Sequence, residues 1–476
     1  MSEQGSISFL DRTLRNLRSA WQGIAGVKYD AAAASLRPDL PDEDAARLRE
    51  QMRACLETRG GEVSARARAA ALGHAYLALD AVGRERFLKV LAEDFDVDHG
   101  AVDAAAEALR QADGATAARQ EAEKTLRAAL WAPRVKLLTQ FNSLPEGVKF
   151  LVDMRAELIP MARRDPLLQA LESDLKSRLT MWFDVDFLEL KRITWDGTPA
   201  EVLEKLIAYE AVHAITSWDD LKNRLASDRR CFAYFHPRMP DEPLIFVEVA
   251  LVDGMADSIQ DLLDEEAPVL DPASADTAIF YSISNAQKGL AGISFGAFLI
   301  KRVADSLAGE FPRLKNFATL SPIPGFRAWL AGILKNGEAG LLLPSEHKTL
   351  KSAAGGSGDA KGTLKDLLEG ADQGAEGTIG KIPRGPLMRL CARYLLQEKR
   401  EDGAALDPVA HFHLSNGARM ERLNWRGDRS PKGMAQSASI MINYLYKLDD
   451  IGDNHEAYTS EDKIAASSSV RGLLKG

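Results

Sequence analysis

The residues best suited to chemistry lie in two short segments of the C-terminal half. Thr319 to Phe326 (TLSPIPGF) places Ser321 at the end of an apolar run, directly before two prolines that stop strands and helices. Ala410 to Ala418 (AHFHLSNGA) places His413 among small and polar residues. A hydroxyl on a rigid turn and an imidazole on a separate element are the minimum parts for proton-transfer chemistry.

The elements that must position these side chains belong to a mixed α+β region. Residues 230–236 and 243–252 are rich in β-branched and aromatic residues and are separated by a turn-rich segment, which predicts an antiparallel pair of strands. Residues 277–284 and 316–320 predict two further strands. A glycine-punctuated loop and a helix over residues 297–308 are expected between them.

The remaining C-terminal elements follow from composition and helical spacing. Residues 351–380 are rich in glycine and predict a surface loop around one short helix at residues 364–368. We expect strands within residues 410–425, which would place His413 on a strand, and a helix over residues 431–448. Further helices are expected at residues 326–334 and 385–396.

Residues 1–187 predict an all-helical domain, because Ala, Leu, Glu and Arg dominate and apolar residues recur at helical spacing. A chain of 476 residues is too long for one core, so a second domain is expected over residues 188–476. The Arg-rich N-terminus resembles a transit peptide, but its acidic Glu3 and Asp11 favour an ordinary packed helix. The expected task of the helical domain is packing and assembly.

Composition argues against several classes of partner. The net charge of −9 and the pI near 5.6 argue against nucleic acid, which selects clustered Lys and Arg. No apolar run is long enough to predict a membrane span. Cys55, Cys231 and Cys391 lie far apart, which argues against a zinc ribbon or a disulfide framework and favours a reducing compartment. We therefore expect a cytoplasmic protein.

A glycine-rich segment, Gly289 to Ala297 (GLAGISFGA), separates an expected strand from an expected helix. Glycines at this position let a backbone approach a diphosphate and present its amides. The segment also contains a literal G-x-S-x-G around Ser294, with Asp407 and a histidine downstream in the order of a Ser–Asp–His hydrolase. A nucleophile elbow follows its strand directly, whereas Ser294 lies well beyond the strand expected to end at Ser284. The hydrolase remains the alternative.

Other interpretations of the same residues, structural or metal-binding, also stay open at this point. Ser321 could simply bond the turn before its prolines, and His413 could be a core histidine. His411 and His413 could form a metal pair, because residues two apart on a strand share a face. No third ligand with suitable spacing accompanies them.

From about Ile193 to about Lys463 the sequence resembles the malonyl-CoA decarboxylase family, and the two segments around Ser321 and His413 match the family's signature. The resemblance implies a GNAT-like catalytic domain that converts malonyl-CoA to acetyl-CoA and CO2. It implies neither a cofactor nor a metal. It also implies a homo-oligomer, a dimer or tetramer, assembled through the helical domain. A thioesterase using Ser294 and a non-catalytic CoA-binding sensor are the competing functions.

The resemblance also implies roles for individual residues. Ser321 would hold the substrate carboxylate or relay a proton, and His413 would perform acid–base work, with His411 only a neighbour. Which of the pair delivers the final proton stays open. Further matches are Ser282, Asn416 and Tyr446, the last expected on a helix with its phenol facing the acyl group. The residues expected to bind malonyl-CoA are Ala291, Gly292, Ile293, Ser294, Phe295, Gly296 and Ala297.

Overall fold

The computed structural model divides the chain into two compact units. The first comprises Met1–Glu189, Phe235–Pro243 and Gln287–Ser294, and the second comprises Leu190–Tyr234, Leu244–Ala286 and Phe295–Gly476. The residues that the structure describes are 21, 24, 36–57, 61–112, 114, 117–183, 187–293, 299–336, 340–353, 359–372 and 383–475.

Helices make up nearly all of the described N-terminal region, as the sequence predicts. Several start at an aspartate whose carboxylate caps the first turn, as where Asp80 accepts the Gly83 N–H at 2.9 Å. The helices are α1 (Asp42–Leu56), α2 (Gly61–Ala78), α3 (Ala81–Glu93), α4 (His99–Gln111), α5 (Ala117–Ala129), α6 (Pro133–Asn142), α7 (Gly147–Ala162) and α8 (Pro166–Trp182).

Aromatic side chains form the centre of the helical unit. Phe150 on α7 lies edge-to-face with Trp21, Tyr76 and Phe141, with ring centroids 4.7, 5.5 and 5.2 Å apart. All four rings are buried. Offset and edge-to-face pairs of this kind stabilise a core beyond the area that they remove from water.

Two segments that come later in the sequence also belong to the helical unit. Residues 235–243 are anchored there by His236, whose Nε2 lies 2.9 Å from the Trp182 carbonyl oxygen, and by Arg238, which donates to the Asn142 carbonyl at 2.5 Å. The second segment is residues 287–294. The division expected between residues 187 and 188 stays a prediction, since the helical unit draws on more than the N-terminal residues.

Most of a seven-stranded mixed sheet belongs to the second unit, and its strands, numbered along the chain, lie in the order β1-β2-β3-β4-β5-β7-β6. Strand β4 is antiparallel to β3 and parallel to β5, and the parallel pairs run from Thr277↔Asn316 to Phe280↔Thr319. The strands are β1 (Glu189–Ile193), β2 (Arg229–His236), β3 (Met239–Val252), β4 (Thr277–Asn285), β5 (Asn316–Thr319), β6 (Arg419–Asn424) and β7 (Met441–Leu445).

Helices accompany this sheet, so the expected α+β class, with a helical N-terminal region before a mixed sheet-and-helix domain, is confirmed. The helices are α9 (Ala200–Tyr209), α10 (Trp218–Arg224), α11 (Ile259–Leu262), α12 (Leu299–Glu310), α13 (Phe326–Asn336), α14 (Pro344–Ala353), α15 (Ala360–Asp372), α16 (Arg384–Gln397), α17 (Pro408–Ser415), α18 (Pro431–Ser437), α19 (Ile451–Glu461) and α20 (Ser468–Gly472).

One face of the sheet packs an apolar cluster, and this determines where the polar side chains point. Ile279, Ala318 and Leu320 lie in that cluster and are buried. Because successive side chains of a strand point to opposite faces, Thr319 and Ser321 face the other side. Both are buried there, at 0% and 5% exposure.

The strand predicted around His413 is wrong, because residues 408–415 form helix α17. Asp407 and Pro408 are a helix-start signal, an aspartate N-cap followed by a proline in the first turn. Gly417, with φ +78°, stops the helix in the left-handed conformation that glycine tolerates. Only residues 419–424 of the expected strand region are extended.

Two other C-terminal predictions are also wrong in part. The helix expected over residues 431–448 ends at Ser437, since Ala438 and Ser439 adopt φ of 52° and 65°, and β7 follows. Tyr446 therefore comes directly after a strand and not on a helix. The glycine-rich region 351–380 contains more helix than expected, namely the end of α14 and the whole of α15, while its residues 354–358 and 373–380 lie outside the described part.

Among the described residues, no helix is both long and apolar enough to cross a bilayer.

Candidate active site

Ser321 is fixed by backbone hydrogen bonds just past the end of β5. Its N–H donates to the Ile442 carbonyl at 2.8 Å, and its own carbonyl accepts the Ile442 N–H at 3.0 Å. This isolated antiparallel bridge ties the serine to β7. Pro322 then ends the pairing, because proline has no N–H to donate.

His413 is fixed in the last turn of α17. At the start of the helix, Asp407 Oδ1 accepts the N–H groups of Val409 and Ala410, both at 3.0 Å. At its end, the Asn416 amide donates to the Phe412 carbonyl at 2.7 Å. Capping at both ends of an eight-residue helix holds the imidazole in one direction, with only 3% of His413 exposed.

The two side chains meet in a chain of four polar groups. His413 Nε2 lies 3.0 Å from Ser321 Oγ, and His413 Nδ1 lies 2.8 Å from Tyr446 Oη. Ser321 Oγ also donates to Thr319 Oγ1 at 2.8 Å. The structure therefore brings together three residues that the sequence singled out, and adds Thr319.

The donors and acceptors in this chain of four polar groups follow from the hydrogen-bond partners that each group has. Tyr446 is buried, and within the described residues its hydroxyl has His413 Nδ1 as its hydrogen-bond partner. A buried O–H group without an acceptor costs free energy, so the phenol donates its proton to Nδ1. The proton of the neutral imidazole is therefore on Nε2. Nε2–H then donates to Ser321 Oγ, whose hydroxyl proton points to Thr319.

Burial keeps the groups of this chain neutral. It lowers the pKa of His413 to about 3 and raises the pKa of Tyr446 well above its usual value of 10. The Tyr444 ring stacks on the imidazole with centroids 4.4 Å apart. At neutral pH the resting site therefore holds a neutral imidazole between a phenol and an aliphatic hydroxyl.

Asp407 does not complete a Ser–His–Asp triad. Its Oδ2 accepts the Gly325 N–H and the Tyr394 hydroxyl, both at 3.2 Å, while its Oδ1 caps α17. A side chain at Gly325 would lie 2.1 Å from the Tyr394 hydroxyl, so the contact requires glycine. The carboxylate thus connects the turn after Ser321 to the helix that carries His413.

Comparison with known proteins assigns the chain to a family. Residues 186–476 match the profile described as malonyl-CoA decarboxylase C-terminal domain, and residues 95–183 match the profile described as malonyl-CoA decarboxylase N-terminal domain. The chain belongs to the malonyl-CoA decarboxylase family. The C-terminal match alone covers more than half of the sequence and includes Ser321, His413 and Tyr446.

Relatives of this family match over most of their length. The chain is 40% identical over 410 residues to the mitochondrial malonyl-CoA decarboxylase of Rattus norvegicus, covering 83% of this chain and 82% of the relative. It is 40% identical over 402 residues to the mitochondrial enzyme of Anser anser anser, covering 81% of this chain and 79% of the relative.

Solved structures of the family share this fold. The crystal structure of malonyl-CoA decarboxylase from Rhodopseudomonas palustris matches with a TM-score of 0.80 and 43% identity, covering 90% of this chain and 99% of that one. The structure from Agrobacterium vitis matches with a TM-score of 0.78 and 41% identity, with coverage of 90% and 99%.

The residues expected to bind malonyl-CoA are described only in part. Ala291, Gly292 and Ile293 form a turn after the short 3-10 helix Lys288–Leu290. Ser294, Phe295, Gly296 and Ala297 lie outside the described residues. The role of the segment, including that of Ser294, stays a prediction.

Three other singled-out residues have partners outside the Ser321–His413 contact. Ser282 donates to the Glu210 carboxylate at 2.8 Å. Asn416 caps α17, as described above. His411 points elsewhere, with Nδ1 2.9 Å from the Tyr458 hydroxyl. Among the described residues, none of these three side chains forms a hydrogen bond with Ser321 or His413, and the substrate-binding roles of Ser282 and Asn416 stay predictions.

Sequence reasoning missed Thr319 and the positioning role of Asp407. Thr319 had a detectable signal, because residues two apart on an extended segment share a face and Ser321 follows it by two. Its Oγ1 also accepts the Tyr444 N–H at 3.1 Å, which holds the threonine in place. For Asp407 the signal is the aspartate–proline pair, which predicts the start of a helix. The sequence analysis considers this residue only as a member of a Ser–Asp–His triad.

A metal site finds no support in the described part of the chain, which contains no group of three or more His, Cys, Asp or Glu side chains placed to hold an ion. His411 and His413 lie two apart on a helix, where such residues point in different directions.

Proposed function

We propose that this protein converts malonyl-CoA to acetyl-CoA and CO2. Two observations support the proposal, the family membership and the 3.0 Å contact between His413 Nε2 and Ser321 Oγ. The contact carries the mechanistic part, because it joins a proton-bearing imidazole nitrogen to a hydroxyl inside a buried site. The relatives from Rattus norvegicus and Anser anser anser are named for this reaction.

The reaction needs little beyond positioning and hydrogen-bond donors. The thioester of malonyl-CoA accepts the electron pair of the breaking C–C bond when that bond lies perpendicular to the thioester plane. Loss of CO2 then leaves an enolate that must take up one proton at carbon. Because the substrate supplies the electron sink, we propose that the enzyme uses neither a metal nor a cofactor.

We propose that Ser321 and His413 supply the donors. Substrate entering the site competes with Thr319 for the Ser321 hydroxyl proton, which then holds the carboxylate or is delivered to the enolate carbon. With substrate bound, His413 takes up one proton from solvent, its Nε2–H then restores the serine proton, and the imidazole returns to its neutral form with Tyr446 beside Nδ1. A preorganised donor to a developing oxyanion is worth about 3–4 kcal/mol of the barrier.

The charge of the substrate also favours this arrangement. A malonyl carboxylate close to His413 raises the pKa of the imidazole from its resting value of about 3, because a nearby anion stabilises the charged form. The histidine thus becomes a better proton carrier only while substrate is bound.

Product analysis tests the proposed function. Purified protein dialysed against EDTA is mixed with malonyl-CoA, and acetyl-CoA, CO2, free CoA and malonate are quantified. Acetyl-CoA and CO2 in equal amounts, at a rate that EDTA does not change, are the expected products. Free malonate and CoA would indicate a thioesterase, binding without turnover would indicate a sensor, and loss of activity with rescue by zinc would contradict the metal-free mechanism.

The finer expectations belong to the same proposal. We propose Ala291 to Ala297, Ser282, Asn416 and Tyr446 as the substrate-binding set. Assembly into a dimer or tetramer through the helical domain, and a cytoplasmic location, are also proposed. Light scattering of the purified protein tests the oligomer, and fractionation of the source cells tests the location.

A further inference from the structure

The face of the His413 ring is covered by the side chain of Tyr444. The two rings stack with their centroids 4.4 Å apart and their planes 26° apart, and Tyr444 is fully buried. The ring of Tyr446 approaches the same imidazole at a steep angle of 69°, with centroids 6.0 Å apart. Residues two apart on an extended segment share a face, so β7 and the residue that follows it bring both tyrosines to the imidazole.

Hydrogen bonds to Thr319 fix the position of Tyr444. The Tyr444 N–H donates to Thr319 Oγ1 at 3.1 Å, and the same oxygen accepts the Ser321 hydroxyl at 2.8 Å. The side-chain amide of the neighbouring Asn443 donates to the Thr319 carbonyl at 2.7 Å. These bonds hold β7 against the segment that carries the serine, so the Tyr444 ring has a fixed place relative to the Ser321 hydroxyl.

The hydroxyl of Tyr444 does not explain why this residue lies beside His413. The hydroxyl is buried and has no hydrogen-bond partner within the described part of the chain. A buried hydroxyl without a partner costs free energy, so it does not stabilise the site. Beyond packing, the interaction that Tyr444 makes with the site is therefore the contact between its ring face and the imidazole.

A protonated His413 has no carboxylate bonded to it among the described residues. Its two ring nitrogens lie beside neutral hydroxyl groups, those of Ser321 and Tyr446. The carboxylate of Asp407 accepts hydrogen bonds from other groups, including the Tyr394 hydroxyl. Burial lowers the pKa of His413 to about 3, so the imidazolium needs another source of stabilisation whenever it forms.

We propose that the face of the Tyr444 ring stabilises the imidazolium of His413 during turnover, which makes Tyr444 a further positioning residue of the site. The inference rests on the proposed function, in which His413 takes up one solvent proton and restores the proton of Ser321. The negative face of an aromatic ring attracts a cation within about 6 Å of its centroid, most strongly where water is excluded, and the separation here is 4.4 Å. The malonyl carboxylate leaves as neutral CO2, whereas the ring stays beside His413 through the whole cycle.

Ring fluorination tests the proposal, because fluorine withdraws electron density from the ring face and changes the shape of the ring little. Tyr444→Phe is made first, and phenylalanine with one, two or three ring fluorines is then incorporated at position 444. Tyr444→Phe should keep kcat within about 3-fold of the wild type, since both rings attract cations. Each fluorine should then lower kcat, by about 10-fold or more for three, the size expected of a buried cation–π contact. Urea unfolding should change little across the series.

The protonation of His413 gives a second measurement that packing alone would not change. Nitrogen NMR of the labelled imidazole gives the pKa of His413 in each variant, with and without bound succinyl-CoA. The carboxylate of succinyl-CoA lies one carbon too far from the thioester to be lost as CO2. The pKa of His413 should fall with each fluorine, by about one unit for three, because each fluorine weakens the attraction for the charged form.

A matched series at another buried ring separates the possible outcomes. Phe232 on β2 is buried and is not among the residues proposed for the site, so the same fluorines there should change neither kcat nor the pKa of His413. Equal losses of kcat in the two series would overturn the proposal. In an active protein, fluorines at position 444 that change neither measurement, or only one of them, would also overturn it. A wild-type protein that forms no acetyl-CoA, while the fluorines still lower the pKa of His413, would overturn only the proposed function.

Discussion

Asp407 and Gly325 are joined by a hydrogen bond of 3.2 Å from the glycine N–H to the carboxylate, which links the turn after Ser321 to the helix of His413. The two residues are far apart in sequence but are in direct contact in the structure. This link holds the serine hydroxyl and the imidazole at a separation of 3.0 Å. Small displacements of reacting groups lower rates strongly, so this carboxylate is a positioning residue.

Replacing Asp407 should therefore lower kcat by more than the accompanying loss of folded protein accounts for. In Asp407→Ala we expect kcat to fall about 10- to 100-fold with KM little changed, because the donors stay but their separation is no longer fixed. Asp80→Ala is the control, since it removes an N-cap bond of 2.9 Å from α3, which carries none of the residues proposed for the site. Asp80→Ala should cost about 1 kcal/mol of stability in urea unfolding, and Asp407→Ala should cost more, because the Gly325 N–H and the Tyr394 hydroxyl also lose their acceptor. An equal loss of kcat in both variants would contradict the positioning role.

Ser321 and His413 should behave as one unit in catalysis. Ser321→Ala and His413→Ala should each lower kcat about 100-fold or more, the usual contribution of a positioned acid–base group. The double variant should be scarcely worse than either single variant, because residues that share one proton are non-additive. His411→Ala is the control and should have a small effect, since its Nδ1 bonds Tyr458 and not the site. Multiplicative losses would mean that Ser321 only binds substrate.

The sequence predicts the parts of this site better than their arrangement. Ser321 at a strand end was predictable from an apolar run stopped by Pro322, which is a local signal. The strand assigned to His413 was wrong, because the cap at Asp407 decided the conformation and its second partner, Gly325, is distant in sequence. The Tyr446–His413 contact joins residues 33 apart and depends on the pairing of β6 with β7. No local pattern encodes such a register.

The resting pKa of His413 predicts a pH profile without an imidazole step. Burial lowers this pKa to about 3, so the free enzyme keeps a neutral His413 throughout the range in which an ordinary histidine titrates. We expect kcat/KM, which reports the free enzyme, to show no inflection from His413 between pH 5 and 8. Nitrogen NMR shifts of the labelled imidazole should stay constant over the same range. A titration midpoint near 6.5 would contradict the buried, neutral histidine.

The same shift should make stability depend on pH. The pKa of His413 is about 3 in the folded protein and near 6.5 in the unfolded chain. Between these pH values the unfolded chain therefore binds a proton at His413 that the folded protein does not bind. The stabilisation is fully present above pH 6.5 and is lost as pH falls towards 3. Between pH 6 and 4, His413→Gln should therefore lose up to about 1.4 kcal/mol less per pH unit than the wild type in urea unfolding. Parallel curves for the two proteins would contradict the shift.

Tyr446→Phe should weaken the site through the imidazole, while Ser321 and His413 themselves remain in the site. The phenol donates to His413 Nδ1 at 2.8 Å, and without it the proton is free to move from Nε2 to Nδ1, away from Ser321. We expect kcat to fall about 10-fold or more, because the acid–base group His413 loses the hydrogen bond that orients its proton. The NMR signals that report the tautomer of His413 should also change. Tyr458→Phe is a closely matched control, because it removes a phenol 2.9 Å from Nδ1 of His411. If both tyrosine variants lose kcat equally, or if Tyr446→Phe leaves the His413 tautomer unchanged, the phenol does not direct the proton.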